Sequence, residues 1–143
     1  MDVEPKNAEP GTLADPRLVL GDPRLDSDHA ELRRLTRQLQ AAHNQAEALA
    51  ALDALSRHAA AHFATEDEDL RAMKGNDDAQ CHVDEHAVVL KSLAEVQAWT
   101  QQNGDAAQLA FVVQSLCAEL DRWLPEHVQY MDAAVAAYRS KNR

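Results

Sequence analysis

Apolar and polar positions alternate along most of the chain with the three- and four-residue steps of amphipathic helices. The third such stretch is the most regular, since its inward positions step alternately by four and three residues, a rhythm typical of a left-handed helix bundle. The pattern predicts four helices, over about residues 26–44, 45–73, 78–102 and 106–138. Short polar links join them, so we expect an all-α fold, an antiparallel up-down-up-down four-helix bundle.

Both ends of the chain differ from this helical region. Residues 1–16 hold prolines among charged residues and predict a flexible N-terminal lead. Residues 17–24 predict an extended arm laid against the bundle. A single domain over residues 17–138 is therefore expected, and residues 139–143 are predicted to be a charged, frayed C-terminal tail.

Composition supports a helical domain and limits its partners. The 143 residues include 4 glycines, and aromatic residues make up 4%, too few for a typical sandwich or barrel. A formal net charge of -10 argues against nucleic acid and anionic membranes as partners. No apolar run approaches the roughly 20 residues of a membrane span, and the first residues lack the apolar region of a signal peptide. We therefore expect a cytoplasmic protein.

Candidate chemistry lies on the inward faces of all four predicted helices. These faces carry five histidines and two carboxylates: His29, His62, Glu66, His82, His86, His127 and Asp132. A buried polar group without a partner costs on the order of 1–3 kcal/mol, and metal ions are the obvious partners for so many. Seven ligands are too many for one tetrahedral zinc but suit two ions that share carboxylates. Of the acidic run 66–69, only Glu66 has the inward phase, and the rest is predicted to face solvent.

The spacing of the last two candidate ligands predicts an irregular helix. Asp132 follows His127 by five residues, which is about 140° round an ideal helix. Both could then not face one pair of metals. We predict a local π-type widening here, promoted by Pro125, which removes a backbone hydrogen bond within the helix.

Taken together, these motifs resemble the hemerythrin family, in its bacterial form, bacteriohemerythrin. The resemblance covers about residues 18–138 and rests on the following positions: Gly21, Asp26-x-x-His29, His62-Phe63-x-x-Glu66, His82-x-x-x-His86 and Trp123-Leu124-x-x-His127-x-x-x-x-Asp132. It implies a non-haem di-iron site with two Fe ions. One iron would be bound by three histidines and the other by two, as follows: His82, His86 and His127; His29 and His62. Glu66 and Asp132 would bridge the irons, together with a solvent-derived oxo or hydroxo group.

The same resemblance implies reversible dioxygen binding, for storage, delivery or sensing, and not an enzyme. Dioxygen would be held as hydroperoxide on the five-coordinate iron, in an apolar pocket formed by Leu32, Phe63, Trp123, Leu124 and Val128. His58, one turn before His62, is a candidate to support the ligands from outside. The sequence indicates no protein client.

Two other functions remain open for the same site. The first is a di-iron oxidase, peroxidase or nitric oxide-handling enzyme, and the second is a regulatory module that responds to oxidation of the irons. Oxygen-activating di-iron bundles use four carboxylates in Glu-x-x-His patterns. The inward positions here lack that pattern, which favours oxygen binding over oxygen activation.

Overall fold

The computed structural model describes residues 15–73, 75 and 78–142. In this part of the chain every regular element is helical: a 3-10 turn at Pro16–Leu18, α1 at Pro23–Gln40, α2 at Gln45–Ala72, α3 at Ala79–Gln102, α4 at Ala106–His127, a π-helical segment at Val128–Asp132 and α5 at Ala133–Lys141. The last three elements form one continuous helix. The fold is therefore the predicted antiparallel four-helix bundle, in which α2 packs against α1 and α3, and α1 also packs against α4. None of these described helices has both the length and the apolar character needed to cross a membrane.

Side-chain caps fix where three of the helices begin. Asp22, Asn44 and Asp105 each accept a hydrogen bond from a backbone N–H two or three residues further on. α1 begins at Pro23, earlier than the predicted residue 26, because the Asp22 cap and a proline in the first turn both favour a helix start there. It ends at Gln40 instead of residue 44, because Asn44 already caps α2.

Residues 15–24 and 139–142, at the two ends of the described chain, make specific contacts with the helices. Most of the predicted flexible lead lies outside the described residues. In the predicted extended arm, 17–24, Val19 and Asp22 have extended backbone, while the two ends of the segment belong to a 3-10 turn and to the start of α1. Its Leu18 is buried in the core. The predicted frayed tail instead continues α5 to Lys141, and Nε of Arg139 lies 2.6 Å from Oδ2 of the buried Asp22. This ion pair anchors the end of the last helix on the start of the first.

A layer of buried polar side chains divides the core into two parts. The larger apolar cluster fills most of the bundle up to Phe63 and Val128. The smaller cluster consists of Leu25, Leu70 and Val135 at the bundle end. Between them lie the polar groups: along α2, Glu66 follows Phe63 and precedes Leu70, and all three are at most 2% exposed. Apolar packing on both sides thus holds the polar layer away from water.

Loss of Asp22 is expected to destabilise the fold because this side chain joins the first and last helices. Asp22→Ala removes the cap of α1 and the ion pair with Arg139. We expect the free energy of unfolding to fall by about 2 kcal/mol, measured by urea denaturation at pH 7. Asp53→Ala, which breaks the exposed pair with Arg57, is the control and should cost less than about 0.5 kcal/mol. Equal losses in the two variants would contradict the role of Asp22.

The same contact predicts how this difference changes with pH. Burial raises the pKa of Asp22, but the Arg139 guanidinium and the backbone N–H groups that it caps outweigh burial and lower the pKa below 3.8. A depressed folded pKa means that the stabilisation is complete above the unfolded value and is lost as pH falls through the folded value. The stability difference between wild type and Asp22→Ala should therefore be constant near neutral pH and shrink below about pH 4.

Candidate metal centre

The seven candidate ligands come together in one buried cluster near one end of the bundle. α1 supplies His29, α2 supplies His62 and Glu66, and α3 supplies His82 and His86. α4 supplies His127, and the π-helical segment supplies Asp132. Each is at most 4% exposed. Five imidazoles and two carboxylates therefore share a space closed to solvent by the surrounding helices.

The cluster divides into two groups. Within each group, the ligand atoms all lie within 4.8 Å of one another. The three-histidine group contains Glu66, His82, His86, His127 and Asp132. The two-histidine group contains His29, His62, Glu66 and Asp132, so both carboxylates belong to both groups. Two adjacent groups with both carboxylates in common form an arrangement suited to two cations. The donor set of the second group is smaller by one imidazole.

Nε2 of His127 lies within hydrogen-bond distance of Nε2 of His82 and of His86, at 3.1 and 3.2 Å, but the carboxylate oxygens of the cluster lie close to imidazole nitrogens without hydrogen-bond geometry. Oδ1 of Asp132 lies 2.9 Å from Nε2 of His82, and Oδ2 lies 2.9 Å from Nε2 of His29. Despite these distances, Nε2 of His29 and both carboxylate oxygens of Glu66 and Asp132 have no partner in hydrogen-bond geometry. Buried polar atoms left in this way are costly. A cation between them would satisfy all five, so the residues present fit a bound metal.

Electrostatics within the cluster favour ionised carboxylates. Burial lowers the pKa of His82, but the carboxylates of Asp132 and Glu66 outweigh burial and raise it to about 9. Burial raises the pKa of Asp132, yet the neighbouring imidazoles lower it well below its ordinary value. Burial lowers the pKa of His62. The carboxylates therefore stay charged, and a bound cation would take the place of protons on the imidazoles.

The π-helical segment aligns Asp132 with His127. The predicted π-type widening is confirmed at Val128–Asp132, which begins three residues after the buried Pro125. Hydrogen bonds of the i→i+5 kind make residues five apart neighbours on one face. Oδ1 of Asp132 accordingly lies 3.2 Å from Nε2 of His127.

Three further carboxylates, which the sequence analysis missed, hold the outer ring nitrogens of ligand histidines. The Nδ1 atoms of His62, His86 and His127 lie 2.8 Å from carboxylate oxygens of Asp28, Asp67 and Glu85, respectively. Because an ionised carboxylate only accepts, each Nδ1 donates, and the lone pair of each Nε2 is directed into the cluster. Asp67, whose side chain is only 21% exposed, therefore departs from the prediction that the run 66–69 faces solvent apart from Glu66.

His58 lies beside the cluster but belongs to neither ligand group. Its ring stacks parallel to that of His62, with centroids 6.3 Å apart. Its Nε2 lies 3.2 Å from the backbone carbonyl oxygen of Asp28, the residue whose carboxylate bonds His62. His58 thus contacts the surroundings of a ligand.

Next to the cluster is a small cavity of about 20 Å³. Four of the five predicted pocket residues line it: Leu32, Phe63, Trp123 and Leu124. Val128 is fully buried in the same core but is not part of the lining. The cavity has room for about one water-sized molecule. Phe63 stacks on His86 and Trp123 stacks on His127, so two aromatic rings stand between the cavity and the ligands.

Fold and site together define a helical bundle with a buried, histidine-rich site able to bind cations. The sequence over residues 20–138 matches the family model of the hemerythrin HHE cation binding domain. Since this match covers most of the chain, the protein belongs to the hemerythrin family. A comparison with curated proteins gives no match.

Proposed function

We propose that the protein binds dioxygen reversibly at a di-iron centre, for storage, delivery or sensing. The observation that carries the proposal is the pair of ligand groups that share both carboxylates and differ by one histidine. From the motif spacing in the sequence we further propose that the chain is of the bacterial form, bacteriohemerythrin. In this proposal the protein is not an enzyme.

The proposed ligands follow the two groups. One iron would be held by the three-histidine group and the other by the two-histidine group, as follows: His82, His86 and His127; His29 and His62. Glu66 and Asp132 would be shared, and an oxo or hydroxo bridge would complete the cofactor. Two irons, when bound, would supply the electrons that make dioxygen uptake and release possible. The smaller donor set of the second group leaves room there for an external ligand.

The residues of the cluster and its surroundings favour reversible dioxygen binding over catalytic turnover of dioxygen. Only two carboxylates occur in the ligand groups, whereas oxygen-activating di-iron bundles use four. The cavity beside the ligands is lined mainly by apolar side chains such as Leu32 and Leu124, which exclude water and protons from the site. Carboxylates at the outer nitrogens of three histidines fix the ring orientations. The protein groups therefore provide a preorganised, dry environment.

Anaerobic reconstitution with Fe²⁺ tests the proposal. We expect two irons per chain, and an absorption spectrum that changes when dioxygen is admitted and returns when it is removed under vacuum. Protein loaded with redox-inactive Zn²⁺ is the control and should show no change. Fewer than two irons per chain would contradict the di-iron centre. A change that does not reverse, or sustained consumption of dioxygen with an added reductant, would favour the enzyme alternative.

A further inference from the structure

One carboxylate oxygen of Glu85 accepts hydrogen bonds from two residues of α4. Its Oε1 lies 2.8 Å from Nδ1 of His127 and 3.1 Å from the indole Nε1 of Trp123. The two donors are four residues apart and share one helix face, so a single acceptor on α3 reaches both. An indole nitrogen only donates. Glu85 therefore fixes the orientation of both rings at once.

The two rings that Glu85 holds also stack on each other. The centroids of Trp123 and His127 are 4.3 Å apart, with 25° between the ring planes. Trp123 meets Phe63 edge-on, with centroids 6.1 Å apart, and Phe63 in turn stacks on His86 at 4.1 Å. Trp123 and Phe63 both line the cavity. The indole is thus a part of the cavity wall that lies directly against the three-histidine group.

The other two outer carboxylates lack this second contact. In the described part of the chain, the side-chain hydrogen bonds and ion pairs of Asp28 and Asp67 reach no residue that lines the cavity. Glu85 is also the most exposed of the three, at 40% of its side chain against 23% for Asp28 and 21% for Asp67. Glu85 alone among them joins a ligand to the cavity wall.

We propose that Glu85 is a positioning residue that holds the ligand His127 and the cavity-wall indole of Trp123 as one unit. Loss of this shared acceptor oxygen loosens both rings together, which weakens cation binding by the three-histidine group and opens the wall between cavity and ligands. This inference rests on the proposed function, because it treats the cavity and the ligand cluster as parts of one site.

The test uses the full chain in a Trp99→Phe background, which leaves Trp123 as the only tryptophan, since the sequence has 2. Glu85→Ala and Glu85→Gln are compared with Asp67→Asn, a matched control in which the ligand His86 loses its carboxylate but the indole keeps its partner. Two quantities are measured: acrylamide quenching of Trp123 fluorescence in metal-free protein, and Co²⁺ affinity from visible absorption.

We expect Glu85→Ala to lower Co²⁺ affinity about 10–100-fold and to raise the quenching of Trp123. Asp67→Asn should lower affinity by a similar factor and leave quenching at the wild-type level. Glu85→Gln should also keep wild-type quenching, because its amide oxygen still accepts from the indole, but should bind Co²⁺ more weakly than wild type. A merely structural residue is not expected to show this result, in which glutamine restores the quenching of Trp123 but not the Co²⁺ affinity.

Unchanged quenching in Glu85→Ala, or an equal rise in Asp67→Asn, would overturn the inference. If Glu85→Ala does not fold, as judged by circular dichroism, Glu85→Gln replaces it in the test: either an unchanged Co²⁺ affinity or a raised quenching of Trp123 in that variant would overturn the inference. Both measurements are made without iron and dioxygen. Failure of reversible oxygen binding in wild type would therefore count against the proposed function and not against the role of Glu85.

Discussion

Replacing Glu66 with glutamine is expected to abolish two-ion occupancy while the bundle remains folded. Glu66 is fully buried and belongs to both ligand groups, so one substitution removes a negative charge from both proposed ions. Outer partners of metal ligands already contribute 10–100-fold to affinity, and we expect loss of a shared ligand to cost more than about 100-fold. Iron per chain after anaerobic reconstitution and gel filtration should fall from two to fewer than one.

Glu68→Gln is the matched control for this prediction. Glu68 belongs to the same acidic run as Glu66 and lies on the same helix, but it is exposed and outside both ligand groups. It should retain two irons, and both variants should keep the helical circular dichroism spectrum of the wild type. Two tightly bound irons in Glu66→Gln would show that Glu66 is not shared between two ions.

The sequence predicts the assembly of the cluster well because periodicity determines which helix face turns inward. Residues such as His82 and His86 fall in the same phase as the apolar positions that follow them, and the structure buries them accordingly. The π-helical segment was predictable for a related reason. The five-residue spacing of His127 and Asp132 is incompatible with a regular helix that faces both inward, and Pro125 lies three residues before the π-helical segment begins.

Periodicity did not predict the carboxylates outside the cluster. Asp28 directly precedes the ligand His29 in the chain but bonds His62 on α2, and Glu85 precedes His86 but bonds His127 on α4. A residue next to an inward position is about 100° round the helix, so it points along the seam towards a neighbouring helix. Which neighbour it reaches depends on how the helices pack side by side. An acidic residue next to a ligand in the sequence is nevertheless a usable signal for a carboxylate that bonds the outer ring nitrogen of a ligand histidine.

The conformation of the segment before α1 also depends on tertiary contacts, which a local sequence pattern does not contain. Leu18 supplies both a buried side chain to the core and a backbone oxygen 3.4 Å from Nδ1 of His29. Gln129, in the π-helical segment, donates to the backbone oxygen of Arg17. The segment before α1 therefore closes over the cluster through backbone groups, whose partners the side-chain pattern of residues 17–24 does not reveal.

Replacing Phe63 with alanine is expected to have the largest effect on stability and also to open the site. Phe63 is 2% exposed, stacks on His86 and lines the cavity. Truncation of a buried phenylalanine costs about 3–5 kcal/mol, measured by denaturant unfolding of the metal-free protein. The space left behind would join the existing cavity to the ligands and admit water. In the proposed function, the oxygenated spectrum of reconstituted protein should then decay faster than in wild type.

Leu39→Ala separates the two consequences of the Phe63 substitution. Leu39 is fully buried in the same core cluster but does not line the cavity, and its truncation should cost about 2–5 kcal/mol. Because the ligand surroundings are untouched, its oxygenated spectrum should decay at the wild-type rate. A decay as fast as that of Phe63→Ala would mean that general loss of stability, and not an opened cavity wall, controls access to the site. The apolar rings beside the ligands would then contribute packing alone.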